Sequence, residues 1–288
     1  GIAQAGGGVN AHAHLDRFGT LTPEYYALAN SLLQDKWGIV QRMNIERSSG
    51  DIYDCMARGI ELMISQGVQA VGTFIDVDAF VKDKAIEAAR RVRETFQGDI
   101  QIFYANQVLS GVLDKEARQW FDLGAEFVDI VGGLPAKDKG REDDHLDVIL
   151  ETAKRMGKLV HVHVDQNNTA TEKEMELLAD KTLEHYMHGN VVAVHGISLS
   201  AHPIEYRETV YSKMHQAKLS VIACPTAWID GRKSEVLVPT HNSIAAVDEL
   251  INHGITVAVG TDNIRDVYKP FSDGDLLREV WLAAEACR

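Results

Sequence analysis

Cysteine is scarce in this sequence, and its three residues, Cys55, Cys224 and Cys287, lie far apart. Their number is odd, and no pair has the C-x-x-C spacing of a zinc or redox motif. The pattern gives no sign of a disulfide framework, so we expect a protein of a reducing compartment.

The sequence also lacks basic clusters and long apolar runs. Its 29 Lys and Arg residues face 42 Asp and Glu residues, a net charge of -13, and no cluster could neutralise a run of phosphates. No stretch reaches the roughly 18 apolar residues of a membrane span, and the first residues, GIAQAGGGVN, do not resemble a secretion signal. We expect a cytoplasmic protein that binds neither nucleic acid nor membranes.

Strand-like and helix-like segments alternate along the 288 residues. Runs rich in β-branched or aromatic residues predict eight strands, at residues 9–15, 70–77, 100–108, 127–132, 159–164, 191–196, 219–224 and 256–260. Helical periodicity lies between them, at residues 82–96, 115–123, 144–156, 171–186, 204–216 and 243–253. Eight strand–helix units favour a (β/α)8 TIM barrel over an open sheet.

Two segments interrupt this alternation, and neither has the composition of a linker. Residues 17–49 form a long excursion after the first strand, and residues 228–241 follow the seventh; both are expected to shape the substrate pocket. We find no internal repeat and no Pro- or Ser-rich linker. Residues 1–288 are therefore interpreted as one domain.

Histidines stand at the ends of two predicted strands. His12 and His14 are two residues apart, so both side chains lie on one face of the first strand. His161 and His163 have the same spacing on the fifth. Alone, such a pair also suits a barrel core, and His161, deeper in its strand, is expected there or behind a ligand.

Two further strands are apolar until their last residues. The sixth ends in His195, and the eighth is followed by Asp262. Polar groups at apolar strand ends are costly unless they are used, and a barrel brings its carboxyl strand ends to one mouth. Imidazoles and a carboxylate suit one divalent ion, which could be Zn(II), Fe(II), Mn(II) or Ni(II), since ligand type alone does not choose among them. We expect zinc first and iron next.

These motifs resemble those of the amidohydrolase superfamily, in its cytosine-deaminase-like branch. The order H-x-H, H-V-D-Q, V-H-G-I-S and G-T-D-N covers nearly the whole chain. The resemblance implies that His12, His14, His163 and Asp262 bind the metal, and that His195 lies beside the reacting water or the substrate oxygen.

The resemblance also implies a substrate site. Gln107 matches a glutamine that grips the ring, while Gln166 and Asn263 replace the glutamate and second aspartate of cytosine deaminases. This pairing, with a cation at Arg17, resembles N-isopropylammelide isopropylaminohydrolases, which cleave an alkylamine from an oxo-s-triazine. Tyr268 falls where the branch often has an aromatic lid, although packing explains it equally well.

The predicted reaction is hydrolysis of a carbon–nitrogen bond, by deamination or alkylamine release, on a nitrogen heterocycle such as an oxo-s-triazine or a pyrimidine. A bound metal lowers the pKa of water towards about 7, so that hydroxide is available at neutral pH. Asp262 would move the proton, His195 would polarise an oxygen, Gln107 and Gln166 would hold the ring, and Arg17 would balance its charge. A cyclic amide or lactone hydrolase and a non-catalytic metal-binding barrel are the alternatives.

Two further expectations concern the flanks and the remaining histidines. Superfamily members usually carry a β-sandwich beside the barrel, and we expect it to be absent or truncated here. If it is, apolar barrel surface would be left exposed, which predicts a homo-oligomer. The other histidines are expected at the surface or at helix ends: His145, His185, His188, His202, His215, His241 and His253.

Overall fold

The computed structural model describes residues 7–229 and 244–287. All eight predicted strands are present, each displaced by at most a few residues. They are β1 (Gly8–Ala13), β2 (Val68–Asp76), β3 (Gln101–Gln107), β4 (Ile130–Gly133), β5 (Leu159–Val164), β6 (Val191–His195), β7 (Ser220–Ala223) and β8 (Thr256–Val259). The fourth was predicted to begin at Phe127, but that residue ends a helix.

Helices separate the strands as predicted. Those described are α1 (Pro23–Leu28), α2 (Leu33–Glu46), α3 (Ser49–Ser65), α4 (Lys84–Thr95), α5 (Lys115–Phe127), α6 (Glu142–Met156), α7 (Glu174–Glu184), α8 (Ile204–Ala217), α9 (Pro225–Trp228), α10 (Val247–Asn252) and α11 (Leu276–Ala286). The excursion after β1 contains α1 and α2. The helix predicted at residues 243–253 is α10, with Ser243 outside the described residues, as is most of the predicted pocket segment 228–241.

One sheet contains all the described strands, in the order β1-β2-β3-β4-β5-β6-β7-β8. Neighbouring strands run parallel in each pair for which the register is defined. Consecutive parallel strands need a crossover, and the helices supply it. The fold is the predicted (β/α)8 barrel class.

Two compact units divide the chain. The first comprises residues 1–129 and 261–276, and the second comprises residues 130–260 and 277–288. The prediction of one domain is not tested by this division and stays a prediction. Along residues 7–229 and 244–287, no helix is long and apolar enough to cross a membrane.

Local sequence explains how helices begin and end around the strands. Ser48 and Asp51 form a reciprocal capping box that starts α3, and Gly157 ends α6 in the left-handed conformation, at a φ of 66°. In the first unit, a Cβ on Gly72 would lie 2.6 Å from the carbonyl oxygen of Ala11, so glycine allows β1 and β2 to approach. The close approach at Gly72 fits the pairing of β1 with β2, in which Ala13 lies opposite Thr73.

Candidate metal centre and active site

In the first unit, His12 and His14 meet Asp262. Both imidazoles are buried, their ring centroids lie 4.9 Å apart, and both pack against Phe74. Oδ1 of Asp262 lies 3.2 Å from Nε2 of His12 and 3.3 Å from Nε2 of His14. Three ligand-type side chains thus converge at one buried point.

The backbone explains why Asp262 reaches the end of β1. Its amide donates to the carbonyl oxygen of His12 at 3.0 Å. Two residues before His12 in β1, the side chain of Asn10 donates to Thr261 Oγ1 at 2.8 Å and accepts from the Thr261 amide at 3.1 Å. Asp262 itself has a φ of 55°, a strained value for a non-glycine residue and common at functional sites.

Arg17 is buried directly behind His14. Its Nη1 donates to both carboxylate oxygens of Asp76, at 2.8 and 2.9 Å, and its Nη2 donates to Nδ1 of His14 at 2.6 Å. Burial lowers the pKa of His14 well below its usual value, and the positive charge of Arg17 lowers it further. The imidazole is therefore neutral, the form in which histidine binds a metal.

Further carboxylates surround this cation. Oδ2 of Asp16 accepts the amide of Asp76 at 2.8 Å, and Asn44 donates to Asp76 at 2.8 Å. Burial, followed by repulsion from Asp76, raises the pKa of Asp16 to about 7. Asp16 thus ties the end of β2 to the segment after His14.

Three predicted substrate residues also belong to the first unit. Gln107 ends β3, is 4% exposed, and its Oε1 has no hydrogen-bond partner among the described residues. Asn263 donates to Asp266 at 2.5 Å. The ring of Tyr268 lies 5.3 Å from the guanidinium carbon of Arg17, and within the described ranges its buried hydroxyl has no partner.

In the second unit, His163 lies beside His195. Both are buried at the ends of β5 and β6, with ring centroids 5.3 Å apart. Nδ1 of His195 accepts a hydrogen bond from Nε1 of Trp228 at 2.9 Å. His195 has a φ of 81°, a second strained residue at a strand end.

The loop after β5 carries the other residues predicted there. Asp165 accepts the amides of Glu174 and Met175 through Oδ1, at 2.9 and 3.3 Å, and so caps α7. Burial, followed by repulsion from Glu172, raises its pKa to about 7. Gln166 is buried next to it, whereas His161 is 9% exposed, deeper in β5.

Sequence reasoning missed several residues that these contacts reveal. Asp76 is a polar residue at the end of the apolar strand β2. The same pattern singled out His195 and Asp262, but no role was predicted for Asp76. Of the two places expected for the other histidines, His145 and His202 take the helix end and not the surface. They are 0% and 5% exposed, in the first turn of α6 and directly after the 3-10 helix Ser198–Ala201. His145 accepts the Leu134 amide and lies 2.6 Å from Asp138. His241 lies outside the described residues.

Comparisons with known proteins identify the family. The model of the family described as "Amidohydrolase family" matches residues 6–287. An uncharacterized protein of Haemophilus influenzae is 50% identical over 254 residues, which are 87% of this chain and 92% of that protein. The N-isopropylammelide isopropyl amidohydrolase of Pseudomonas sp. (strain ADP) is 25% identical over 285 residues, 94% of this chain and 66% of that protein.

The fold has a close counterpart among solved structures. The 5-methylcytosine deaminase of Klebsiella pneumoniae, liganded with 5-fluorocytosine, has a TM-score of 0.89 at 23% identity, covering 98% of this chain and 68% of that one. This likeness confirms the predicted barrel. Because the family description covers nearly every residue, the chain belongs to the amidohydrolase family, as its motifs predicted, and is an enzyme of the carbon–nitrogen hydrolase class.

Proposed function

We propose that this chain is a metal-dependent hydrolase that releases ammonia or an alkylamine from a nitrogen heterocycle, such as an oxo-s-triazine or a pyrimidine. Family membership supports the reaction class. The observation that carries the proposal is the convergence of His12 and His14 on one carboxylate oxygen of Asp262, at 3.2 and 3.3 Å.

The donor set fits a divalent ion. Donors about 2.1 Å from a tetrahedral ion lie about 3.4 Å from one another, which the spacing around Asp262 Oδ1 matches. The assignment of His163 as a further ligand comes from the motif resemblance and is part of the proposal. Nitrogen and oxygen donors suit Zn(II), Fe(II), Mn(II) and Ni(II) alike, and within the proposal we place Zn(II) first and Fe(II) next.

The chemistry then depends on where protons go. The metal, when bound, would lower the pKa of a water so that a nucleophile forms at neutral pH. Asp262 accepts the proton of the attacking water and passes it to the departing amine. A carbon–oxygen bond forms as the carbon–nitrogen bond breaks, so each turnover consumes one water and releases one amine. His195 orients the oxygen beside the reacting carbon.

Unsatisfied polar atoms support the substrate assignment. Within the described residues, Gln107 Oε1 and the hydroxyl of Tyr268 are buried without a hydrogen-bond partner, and a polar heterocycle would satisfy such groups. Gln166 and Asn263 complete the proposed contacts with the ring. A contact between Arg17 and an anionic substrate stays a prediction. Asp76 already neutralises the charge of Arg17, which weakens its attraction for an anion.

Gln166 bears on the choice of leaving group. An amide does not titrate, so Gln166 cannot carry a proton to a ring nitrogen as a glutamate would. This favours release of an alkylamine from an already hydroxylated ring, the reaction named for the Pseudomonas relative. The same residue leaves hydrolysis of a cyclic amide or lactone as the second candidate. Homo-oligomerisation and a cytoplasmic location stay predictions.

Metal content and amine release test the proposal together. Purified protein would be assayed for metal by plasma mass spectrometry and screened with cytosine, isocytosine, ammeline, ammelide, N-alkylammelides and pterins, with His163→Ala as control. About one ion per chain and amine release, both lost in the variant, would support the proposal. Metal without amine release would favour the cyclic-amide candidate, and no metal after reconstitution would refute the proposed site.

A further inference from the structure

We propose that Trp228 fixes the tautomer of His195, so that this histidine can act only as a hydrogen-bond donor, through Nε2. Nε1 of Trp228 lies 2.9 Å from Nδ1 of His195, and the two rings meet edge to face at 5.2 Å. Both residues belong to the second unit. Trp228 is therefore a positioning residue, because its hydrogen bond determines which ring nitrogen of His195 carries the proton.

The direction of this hydrogen bond follows from the indole. Its nitrogen carries a hydrogen and has no lone pair to offer, so Trp228 can only donate. Nδ1 of His195 must accept, which means that it carries no proton. The single proton of the neutral imidazole is then on Nε2.

A buried anchor holds Trp228 in this position. Trp228 ends the one-turn helix α9, which begins at Pro225 after β7. Glu279 of α11 is 2% exposed and accepts the amide of Thr226 at 3.0 Å, and its other oxygen accepts the Thr226 hydroxyl. A buried carboxylate that receives two hydrogen bonds fixes the turn strongly. Helix α11 thereby contributes to the orientation of His195.

The tautomer assigns a role to His195, and this step rests on the proposed function. As water attacks the ring carbon, the neighbouring oxygen gains negative charge, and an N–H donor in a dry site stabilises that charge. Nδ1 is already engaged by Trp228, and Nε2 already carries its proton. Neither nitrogen is then available to accept the proton of the attacking water, which leaves that task to Asp262.

Nitrogen NMR of the histidine rings tests the tautomer without any turnover. Protein labelled with ¹⁵N in the imidazoles would be measured metal-free and loaded with zinc, and the His195 signals would be assigned by their loss in His195→Gln. We expect an unprotonated Nδ1, far downfield, and a protonated Nε2. A proton on Nδ1 in the wild-type protein would overturn the proposal, and this result needs no variant.

Substitution then identifies Trp228 as the cause. Trp228→Phe keeps an aromatic ring but removes the donor, so the two nitrogen shifts of His195 should converge as both tautomers become populated. Trp120→Phe, in the first unit, is the matched control and should leave the His195 signals unchanged. Unchanged signals in Trp228→Phe would contradict the proposal. The NMR measurements need no turnover, so they test this proposal even if the amine-release screen fails.

Discussion

Arg17 donates a hydrogen bond to Nδ1 of His14 across 2.6 Å, while both carboxylate oxygens of Asp76 hold its other terminal nitrogen. The three residues are almost completely buried. The charge of Arg17 is thus neutralised inside the first unit, and its Nη2 fixes the orientation of the His14 imidazole. This geometry favours a role for Arg17 in holding His14.

Removing Arg17 should weaken both stability and metal binding. Arg17→Met leaves Asp76 as a buried, uncompensated charge, a change that typically lowers the free energy of unfolding by about 3–5 kcal/mol. Loss of a contact behind a metal ligand typically lowers metal affinity by about 10- to 100-fold. Urea titration and competition with a chelator measure the two effects.

The double variant Arg17→Met/Asp76→Asn separates them. It removes both charges, so much of the lost stability should return while metal affinity stays low, because His14 still lacks its neighbour. Full metal affinity in the double variant would show that Arg17 does not position the ligand.

The two histidines of β5 should behave differently. His163→Ala should lose the metal, because His163 is the proposed ligand from this strand. His161→Ala, two residues earlier on the same face, should retain about one ion per chain. Metal content after dialysis distinguishes them, and equal loss in both variants would mean that His161 is also a ligand.

Gln107 should affect substrate binding. Gln107→Ala removes the buried amide at the end of β3, and the loss of one hydrogen bond to a bound ring predicts a rise in KM of roughly 10-fold. Gln101→Ala, at the exposed beginning of β3, is the matched control. Steady-state kinetics on the substrate found in the screen would decide, and an unchanged KM in Gln107→Ala would exclude the contact.

His145 should make stability depend on pH. Burial lowers its pKa, although Asp138 opposes this. The unfolded chain therefore takes up a proton below about pH 6.5, whereas the folded chain takes it up only at a lower pH. The free energy of unfolding should therefore fall as the pH drops from 7 to 5. His145→Gln should flatten this slope, by up to about 1.4 kcal/mol per pH unit. Exposed His188→Gln is the control, and an equal slope in all three proteins would exclude His145 as the cause.

Much of the architecture could be predicted from the sequence because it depends on local patterns. Apolar runs of β-branched residues repeat eight times between amphipathic helices. This alternation indicates a parallel sheet, and eight such units favour a barrel over an open sheet. The motif H-x-H, the last residue of β6 and the aspartate after β8 indicated the strand ends, and Asp262 lies beside His12 and His14.

Only the tertiary structure decided what lies behind these residues. Arg17 and Asp76 are 59 residues apart in the sequence, and His195 and Trp228, in the other unit, are 33 residues apart. No local pattern relates the members of such a pair. Their contacts arise when segments that are distant in the sequence pack together within one unit. Single residues at strand ends follow from periodicity and the cost of burying polar groups, whereas their hydrogen-bond partners, tautomers and charges follow from long-range packing.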